Sequence, residues 1–148
     1  MANTFEARRD VYTELWASME IKPERLAIIT RQADKIISFK DRYDPIERAT
    51  GVPWYLIGLM HLRESNFDFN THLHNGDSLN HRTVHVPAGR PLVGQPPFTF
   101  EESAIDALKQ KNLDKIKDWS IERVAYTLEL FNGFGYVAKQ INSPYLWA

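Results

Sequence analysis

The chain has 148 residues, enough for one domain with a sizeable hydrophobic core. Its 18 basic and 19 acidic side chains form no long block of one sign, which argues against nucleic acid as a partner. Cysteine is absent, so disulfides, thiolate nucleophiles and cysteine-bound zinc are excluded and stability must come from packing. We expect a single monomeric domain, residues 1–148, without membrane insertion, since no stretch approaches the roughly 20 apolar residues that span a bilayer.

Two amphipathic helices are predicted at the start of the chain. Apolar residues recur at helical spacing from Phe5 to about Ser18, and again from about Glu24 to Tyr43. Asp44-Pro45 then predicts a short helical turn that Gly51 ends.

Three further helices follow from local signals. The most hydrophobic segment predicts a helix from Pro53 to about Ser65, because proline suits a first helical position. Thr99 and Glu102 have the spacing of a capping box, which predicts the start of a fourth helix. Ser120 is a suitable cap for a fifth helix, which Asn132-Gly133 would end with a left-handed residue.

Helical periodicity disappears between Asn66 and Pro97, where most of the glycine, proline, asparagine and histidine lies. An alternating run at residues 82–86 predicts a small β-hairpin within this segment. A loop of about thirty residues is uncommon in a compact domain unless it is functional or disordered. The sequence therefore predicts an α-dominated α+β fold in which the long loop and hairpin form one wall of a cleft.

Glu64 is the strongest candidate for chemistry. The third predicted helix carries four residues at successive three- or four-residue steps, which places them on one face: Trp54, Ile57, His61 and Glu64. Apolar surroundings and the negative end of the helix would both raise the pKa of the Glu64 carboxyl, as a general acid requires. The spacing alone leaves an ordinary surface ion pair with Arg63, Arg82 or Arg90 equally open.

Two short segments carry a family resemblance. Residues 61–67, HLRESNF, resemble the Glu-Ser segment that ends a buried helix in lysozyme-like lytic transglycosylases and goose-type lysozymes. Residues 130–136, LFNGFGY, resemble the Tyr-Asn-x-Gly-x-Gly segment of the same superfamily, with Phe131 in place of the usual tyrosine. Residues 75–79 and 87–91 further resemble a branch of predicted peptidoglycan hydrolases of bacteria and phages. The resemblance covers about residues 50–147.

The resemblance implies a lysozyme-like domain that cuts peptidoglycan glycan strands at the β-1,4 bond between N-acetylmuramic acid and N-acetylglucosamine. It assigns the proton-donor role to Glu64 and implies no cofactor. Asn132 and neighbouring aromatics, Tyr136 among them, would line the sugar subsites. We expect substrate contacts from the long loop and the end of the third helix as well: Ser65, His74, Asn75 and Thr83.

A second catalytic group is sought among the loop carboxylates, Asp68 and Asp77, because hydrolysis also needs a group that holds water or stabilises the oxocarbenium-like state. Asp77 is the preferred candidate, although Asn75-Gly76-Asp77 is also ordinary turn chemistry. Thr83 is an alternative group for orienting water. If no carboxylate lies near Glu64, the lytic-transglycosylase route applies, in which the substrate's own hydroxyl closes on the anomeric carbon.

The loop histidines support a different class of function. Four of them lie within residues 72–85: His72, His74, His81 and His85. Together with Asp77 they could bind zinc, and a metal-dependent hydrolase of the cell-wall peptide, with Glu64 as general base, is one alternative. Their spacing matches no standard zinc signature. A non-catalytic glycan-binding module is the other alternative, and it would depend on aromatic side chains: Trp54, Trp119, Tyr126 and Trp147.

The first ten residues are polar and mixed in charge, unlike a signal peptide. We therefore expect synthesis in the cytoplasm and action on the cell wall after release by a phage holin or a secretion system. A phage endolysin, an injected effector and a virion-associated lysin all fit this expectation.

Overall fold

The computed structural model describes residues 2–147, and of Trp147 the backbone alone. Met1 and Ala148, the two ends of the predicted domain, and the Trp147 side chain lie outside the described part. Helices dominate that part, which confirms the α-dominated class. None of its helices is long and apolar enough to cross a membrane.

Helices α1 to α8 follow one another along the described residues: Phe5–Ser18, Pro23–Ser38, Lys40–Thr50, Trp54–Ser65, Phe100–Gln110, Ile121–Asn132, Gly135–Ala138 and Pro144–Trp147. A 3₁₀ turn, Leu113–Lys115, follows α5. The chain divides into two compact units. We call residues 1–28 and 118–148 the terminal unit, and residues 29–117 the central unit.

Two predicted helix starts are confirmed by their caps, while α4 begins at Trp54, one residue after the predicted Pro53. The Thr99 hydroxyl accepts from the amide of Glu102 at 3.1 Å, and the Glu102 carboxylate accepts from the amide of Thr99 at 2.8 Å, which completes the capping box. The Ser120 hydroxyl accepts from the amide of Arg123 at 3.4 Å and begins α6. These bonds satisfy amides that have no partner inside the helix, so each cap fixes where its helix begins.

The second predicted helix is divided in two. The apolar spacing predicts one helix to Tyr43, whereas α2 ends at Ser38 and α3 begins at Lys40. At Phe39 the backbone leaves the helical region, and its ring contacts the rings of Phe67 and Phe69 at centroid distances of 5.8 and 5.0 Å. Apolar periodicity averages over several turns, so it cannot show a break at one residue.

One predicted helix start, at Pro45, and one predicted helix end, at Gly133, differ in detail from the structure. Pro45 lies inside α3 instead of starting a turn, while Gly51 ends that helix with a φ of 74°, as expected. Gly133 ends α6 with a positive φ of 91°, but its ψ of 156° is extended and not left-handed helical. Glycine is suited to both positions because it has no Cβ to clash at positive φ.

The core of the central unit forms where α3 packs against α4 and α5. Eight large residues of these three helices have 1% or less of their surface exposed: Tyr43, Ile46, Leu56, Ile57, Met60, His61, Phe100 and Leu108. Gly58 lies at the closest approach, since a Cβ at this position would stand 2.5 Å from Cγ2 of Ile36. The absence of a side chain at Gly58 thus sets how near α4 comes to its neighbours.

The long loop is confirmed, but the predicted hairpin at residues 82–86 is wrong. The one isolated bridge in the described part of the chain joins Thr71 and Ser78. The amides of Val84 and His85 both donate to the Asp77 carboxylate at 2.9 Å, so they are not available to a paired strand. Pro87 then has no amide to continue a ladder.

We expect Gly58→Ala to destabilise the central unit. The new methyl group would overlap Ile36, whose β-branched side chain cannot swing away. Overpacking costs about 1–3 kcal/mol, which outweighs the gain of up to about 1 kcal/mol in helix propensity. Urea unfolding of the purified variant measures the difference.

Gly135→Ala is the control for this experiment, since a Cβ there would meet no other atom within 4 Å. Its stability should equal that of the wild type or exceed it slightly. Equal stability of the two alanine variants would contradict the close approach at Gly58.

Candidate active site

Glu64 lies in the last turn of α4 and is half-buried. The predicted apolar face leading to it is confirmed, because Ile57 and His61 are fully buried. The His61 ring packs against the rings of Phe69 and Phe100 at centroid distances of 4.5 and 4.4 Å. Burial lowers the pKa of His61 against the opposing effect of the Asp68 backbone, which keeps this ring uncharged beneath the site.

The chain turns sharply directly after Glu64. Asn66 and Phe67 have φ angles of 50° and 67°, and a positive φ is uncommon for a bulky side chain. The Phe67 ring is buried, and its amide donates to the carbonyl of His61 at 3.4 Å. Left-handed backbone costs roughly 1–2 kcal/mol per residue outside glycine, so the packing of Phe67 must hold this turn.

The long loop lies against the end of α4 at Gly76. A Cβ on Gly76 would stand 3.1 Å from the carbonyl oxygen of Glu64. The Gly76 φ of 83° and its hydrogen bond to the carbonyl of His72, at 2.8 Å, form the tight turn that permits this approach. The structure thus brings the backbone before Asp77 against the residue that the sequence predicts as proton donor.

Lys111, the residue that follows α5, interacts electrostatically with Glu64. Burial lowers the pKa of Lys111, while the Glu64 carboxylate acts to raise it. Coulomb attraction is mutual, so the ammonium group favours the charged form of Glu64 and opposes the rise in pKa that the sequence predicts for it. No sequence pattern indicated this pair, because the two residues are far apart along the chain.

Two of the arginines considered as ion-pair partners of Glu64 bind elsewhere. Arg90 donates to both carboxylate oxygens of Asp106, at 2.9 and 2.8 Å. Arg82 donates to the carbonyl of Gly94 at 2.8 Å.

The Asp77 carboxylate organises its own loop. Its Oδ2 atom accepts from the amides of Val84 and His85 and from the Asn75 side chain, and its Oδ1 atom bonds Nδ1 of His85 at 2.6 Å. Burial acts to raise the pKa of Asp77, but the hydrogen bonds from His85 and Val84 outweigh it and lower the pKa to about 2. Asp77 is therefore ionised at neutral pH, and its catalytic role stays a prediction.

Three predicted substrate contacts also have partners inside the loop. The Asn75 side chain donates to the carbonyl of His85 at 3.1 Å and accepts from the amide of Asp77 at 3.0 Å. The buried Thr83 hydroxyl donates to the carbonyl of Pro87 and accepts from the amide of Arg90. The Ser65 hydroxyl donates to the carbonyl of Asp68 at 3.4 Å. Their roles toward a sugar stay predictions.

His74 belongs to a buried network between the loop and α5. Its Nε2 atom bonds the Asp106 carboxylate at 2.7 Å, and its side chain has 0% of its surface exposed. Burial lowers the pKa of His74, with Asp106 opposing the effect. His72 joins the same network through the Ser103 hydroxyl, at 2.7 Å. A sugar cannot contact His74 without displacing this packing.

Sequence reasoning missed Ser103 and Asp106, the two α5 residues of this network. Their separation of three residues places them on one face of α5, which was an available signal. That signal pointed to no particular partner, because the pairing with His72 and His74 depends on how the loop folds.

The four loop histidines do not converge on a common point. No group of three histidine, cysteine, aspartate or glutamate side chains in the described part of the chain is placed to hold a metal ion. His72 also bonds the carbonyl of His81 through Nε2 at 2.8 Å, and His81 bonds the carbonyl of Arg82 through Nδ1 at 2.9 Å. His72 and His81 thus act as partners for loop backbone, whereas His74 and His85 bond carboxylates.

The remaining predicted sugar contacts belong to the terminal unit. Asn132 is the last residue of α6, Tyr136 lies in α7, and both are half-buried. Phe131 is buried, and the Tyr126 hydroxyl donates to the carbonyl of Asn3 at 3.1 Å. That Asn132 and Tyr136 line sugar subsites stays a prediction.

No family model, curated protein or solved structure matches this chain. The resemblance to lysozyme-like enzymes therefore rests on the short segments at residues 61–67 and 130–136, supported by residues 75–79 and 87–91.

Asp77→Asn should loosen the loop by about 1–3 kcal/mol, because an amide offers one acceptor oxygen where the carboxylate offers two. Hydrogen exchange at the amides of Val84 and His85 measures the change. Asp41→Asn, at an exposed position of α3, is the matched control and should leave this exchange unaltered.

The same bonds predict a pH dependence in the wild type. The folded pKa of Asp77 lies below its ordinary 3.8, so its contribution is fully present above about pH 4 and is lost as the pH falls toward 2. Hydrogen exchange at the Val84 amide should accelerate between about pH 4 and pH 2 by more than the intrinsic effect of pH on exchange. Unchanged protection down to pH 2 would show that Asp77 does not hold the loop.

Proposed function

We propose that this protein has a lysozyme-like fold and cleaves peptidoglycan glycan strands at the β-1,4 bond between N-acetylmuramic acid and N-acetylglucosamine, with Glu64 as proton donor. The observation that carries the proposal is the place of Glu64 in the last turn of an apolar helix, between a strained turn and the tight turn at Gly76. Strained backbone that packing holds in place concentrates at functional sites. The resemblance of residues 61–67 to the Glu-Ser segment supports the same assignment.

The first chemical step is proton transfer. Glu64 gives its proton to the glycosidic oxygen, the bond from that oxygen to the anomeric carbon breaks, and the electron pair leaves with the oxygen. The sugar that remains is oxocarbenium-like, and Lys111 stabilises the carboxylate left on Glu64. General-acid catalysis of this kind contributes about 10²- to 10⁴-fold in rate.

The second step needs a nucleophile at the anomeric carbon. The two loop carboxylates are held by hydrogen bonds, Asp77 by four and Asp68 by the amide and side chain of Asn70. We therefore favour attack by the substrate's own hydroxyl, whose proton passes to the Glu64 carboxylate. The product is an anhydro sugar, and Glu64 returns to its starting state without a second catalytic carboxyl.

The decisive experiment compares wild type and Glu64→Gln on purified peptidoglycan, with and without EDTA. Wild type should release disaccharide-peptides, and Glu64→Gln should be at least about 10²-fold slower, because glutamine has no proton to give at that oxygen. Mass spectrometry identifies the fragments, and the anhydro product is lighter than the hydrolysed one by one water. Glu14→Gln, at an exposed position of α1, is the control and should cleave normally.

Three outcomes would count against this proposal in different ways. Intact glycan after digestion with the wild type would contradict the proposed glycan cleavage. Loss of activity in EDTA, with release of free peptides, would favour the metal-dependent alternative. Reducing-end products would keep Glu64 as the acid but replace intramolecular closure with attack by water.

We expect Lys111→Met to shift the alkaline limb of the pH–rate profile to higher pH. Removal of the ammonium group makes the Glu64 proton harder to lose, so the acid form persists at a higher pH. Lys109→Met, at an exposed position of α5, is the control and should leave the profile in place. If the alkaline limb of the pH–rate profile does not move in Lys111→Met, ionisation of Glu64 does not determine that limb.

A further inference from the structure

A cavity of about 190 Å³ opens inside the terminal unit, outside the site around Glu64. One part of its lining is apolar: Val11, Leu15, Val137, Ile141 and Leu146. The rest of the lining is polar: Arg8, Tyr12, Glu129, Gln140, Asn142 and Ser143. An apolar cavity of about 150 Å³ holds benzene, so this one has room for a group of roughly the size of one six-membered ring.

Arg8, Tyr12 and Glu129 form a buried cluster at this cavity. Arg8 and Glu129 are 8% and 3% exposed, and the guanidinium lies 3.2 Å from Oε2 of the carboxylate. The Tyr12 hydroxyl donates to the same oxygen and accepts from Nε of Arg8 at 3.1 Å. Within the described part of the chain, Oε1 of Glu129 and one terminal nitrogen of Arg8 make no hydrogen bond.

The charges of this cluster cancel. Burial and the Glu129 carboxylate raise the pKa of Tyr12, so the phenol stays neutral beside one cation and one anion. A charged ligand would bring an uncompensated charge into a buried site, which is costly. An uncharged group that both accepts from Arg8 and donates to Glu129 satisfies the cluster without that cost.

A secondary amide is such a group, because its carbonyl accepts and its N–H donates. We propose that this cavity binds the acetamido group of an N-acetylated aminosugar, with the carbonyl toward Arg8, the N–H toward Glu129 and the methyl group against the apolar wall. The choice of an aminosugar over another amide rests on the proposed function. The cavity would then bind a part of the glycan strand through residues other than those around Glu64.

Titration of wild-type protein with N-acetylglucosamine, followed by backbone amide NMR, tests the proposal. The monosaccharide has no glycosidic bond to cut, so the result does not depend on whether Glu64 is catalytic. Resonances of Val137 and Asn142, which line the cavity, should shift in a saturable manner. Glucosamine, which carries an ammonium group in place of the acetamide, should bind at least about tenfold more weakly, as expected for the loss of one hydrogen bond to a charged residue.

Ile141→Trp places a large ring at the rim of the cavity and leaves the buried ion pair intact, since Ile141 is 53% exposed. It should weaken N-acetylglucosamine binding at least about tenfold. Ile21→Trp, at a position 48% exposed and outside the cavity lining, is the control and should bind like wild type. Glu129→Gln should also weaken binding, and thermal unfolding confirms that this variant is folded before it is used.

The proposal is overturned if the shifts at Val137 and Asn142 are absent, if they persist in Ile141→Trp, or if glucosamine binds as well as N-acetylglucosamine. Tighter binding of an end-blocked alanine dipeptide than of the sugar would overturn the aminosugar assignment. If the wild type does not cleave glycan but still shows these shifts, the proposed function is wrong. Binding of an amide in this cavity is then still supported.

Discussion

The close approach of α4 to its neighbours at Gly58 is the constraint on which the site depends. Ile36 and Tyr43 occupy the space that a side chain on Gly58 would need, so the distance of α4 from these residues is fixed. The Tyr43 hydroxyl then meets Nδ1 of His61 at 3.0 Å, which fixes the helix in rotation as well. Because both the distance of α4 from its neighbours and its rotation about its axis are fixed, its last turn, with Glu64, has one orientation.

The loop beside that turn is ordered by side chains instead of by a sheet. The Asp77 carboxylate takes the amides that a hairpin would have paired, and His72 and His74 attach the loop to α5 through Ser103 and Asp106. Side-chain bonds of this kind hold a loop in place without β-structure, because they replace the backbone pairing that a sheet would supply. Their consequence for the chemistry is that Asp77 already has its partners before a substrate arrives.

The terminal unit uses buried charge in a different manner. An Arg8–Glu129 pair with a tyrosine is costly to bury, and apolar residues of similar volume are often at least as stabilising. A cluster of this kind does offer directed donors and acceptors inside a cavity, which apolar packing does not. That difference is the physical reason for treating the cluster as a binding surface and not only as a stabilising one.

The sequence by itself determined the features that depend on neighbours along the chain. The caps at Thr99 and Ser120, the turn at Gly51 and the apolar face that leads to Glu64 all follow from local hydrogen bonding and helical periodicity. The tertiary structure decided the break at Phe39, the bonds that replace the hairpin, and the pairing of Lys111 with Glu64. The break at Phe39 and the Lys111–Glu64 pair depend on residues from distant parts of the chain, and the Asp77 bonds span seven and eight residues. Helical and strand periodicity does not encode which of these side chains will be near.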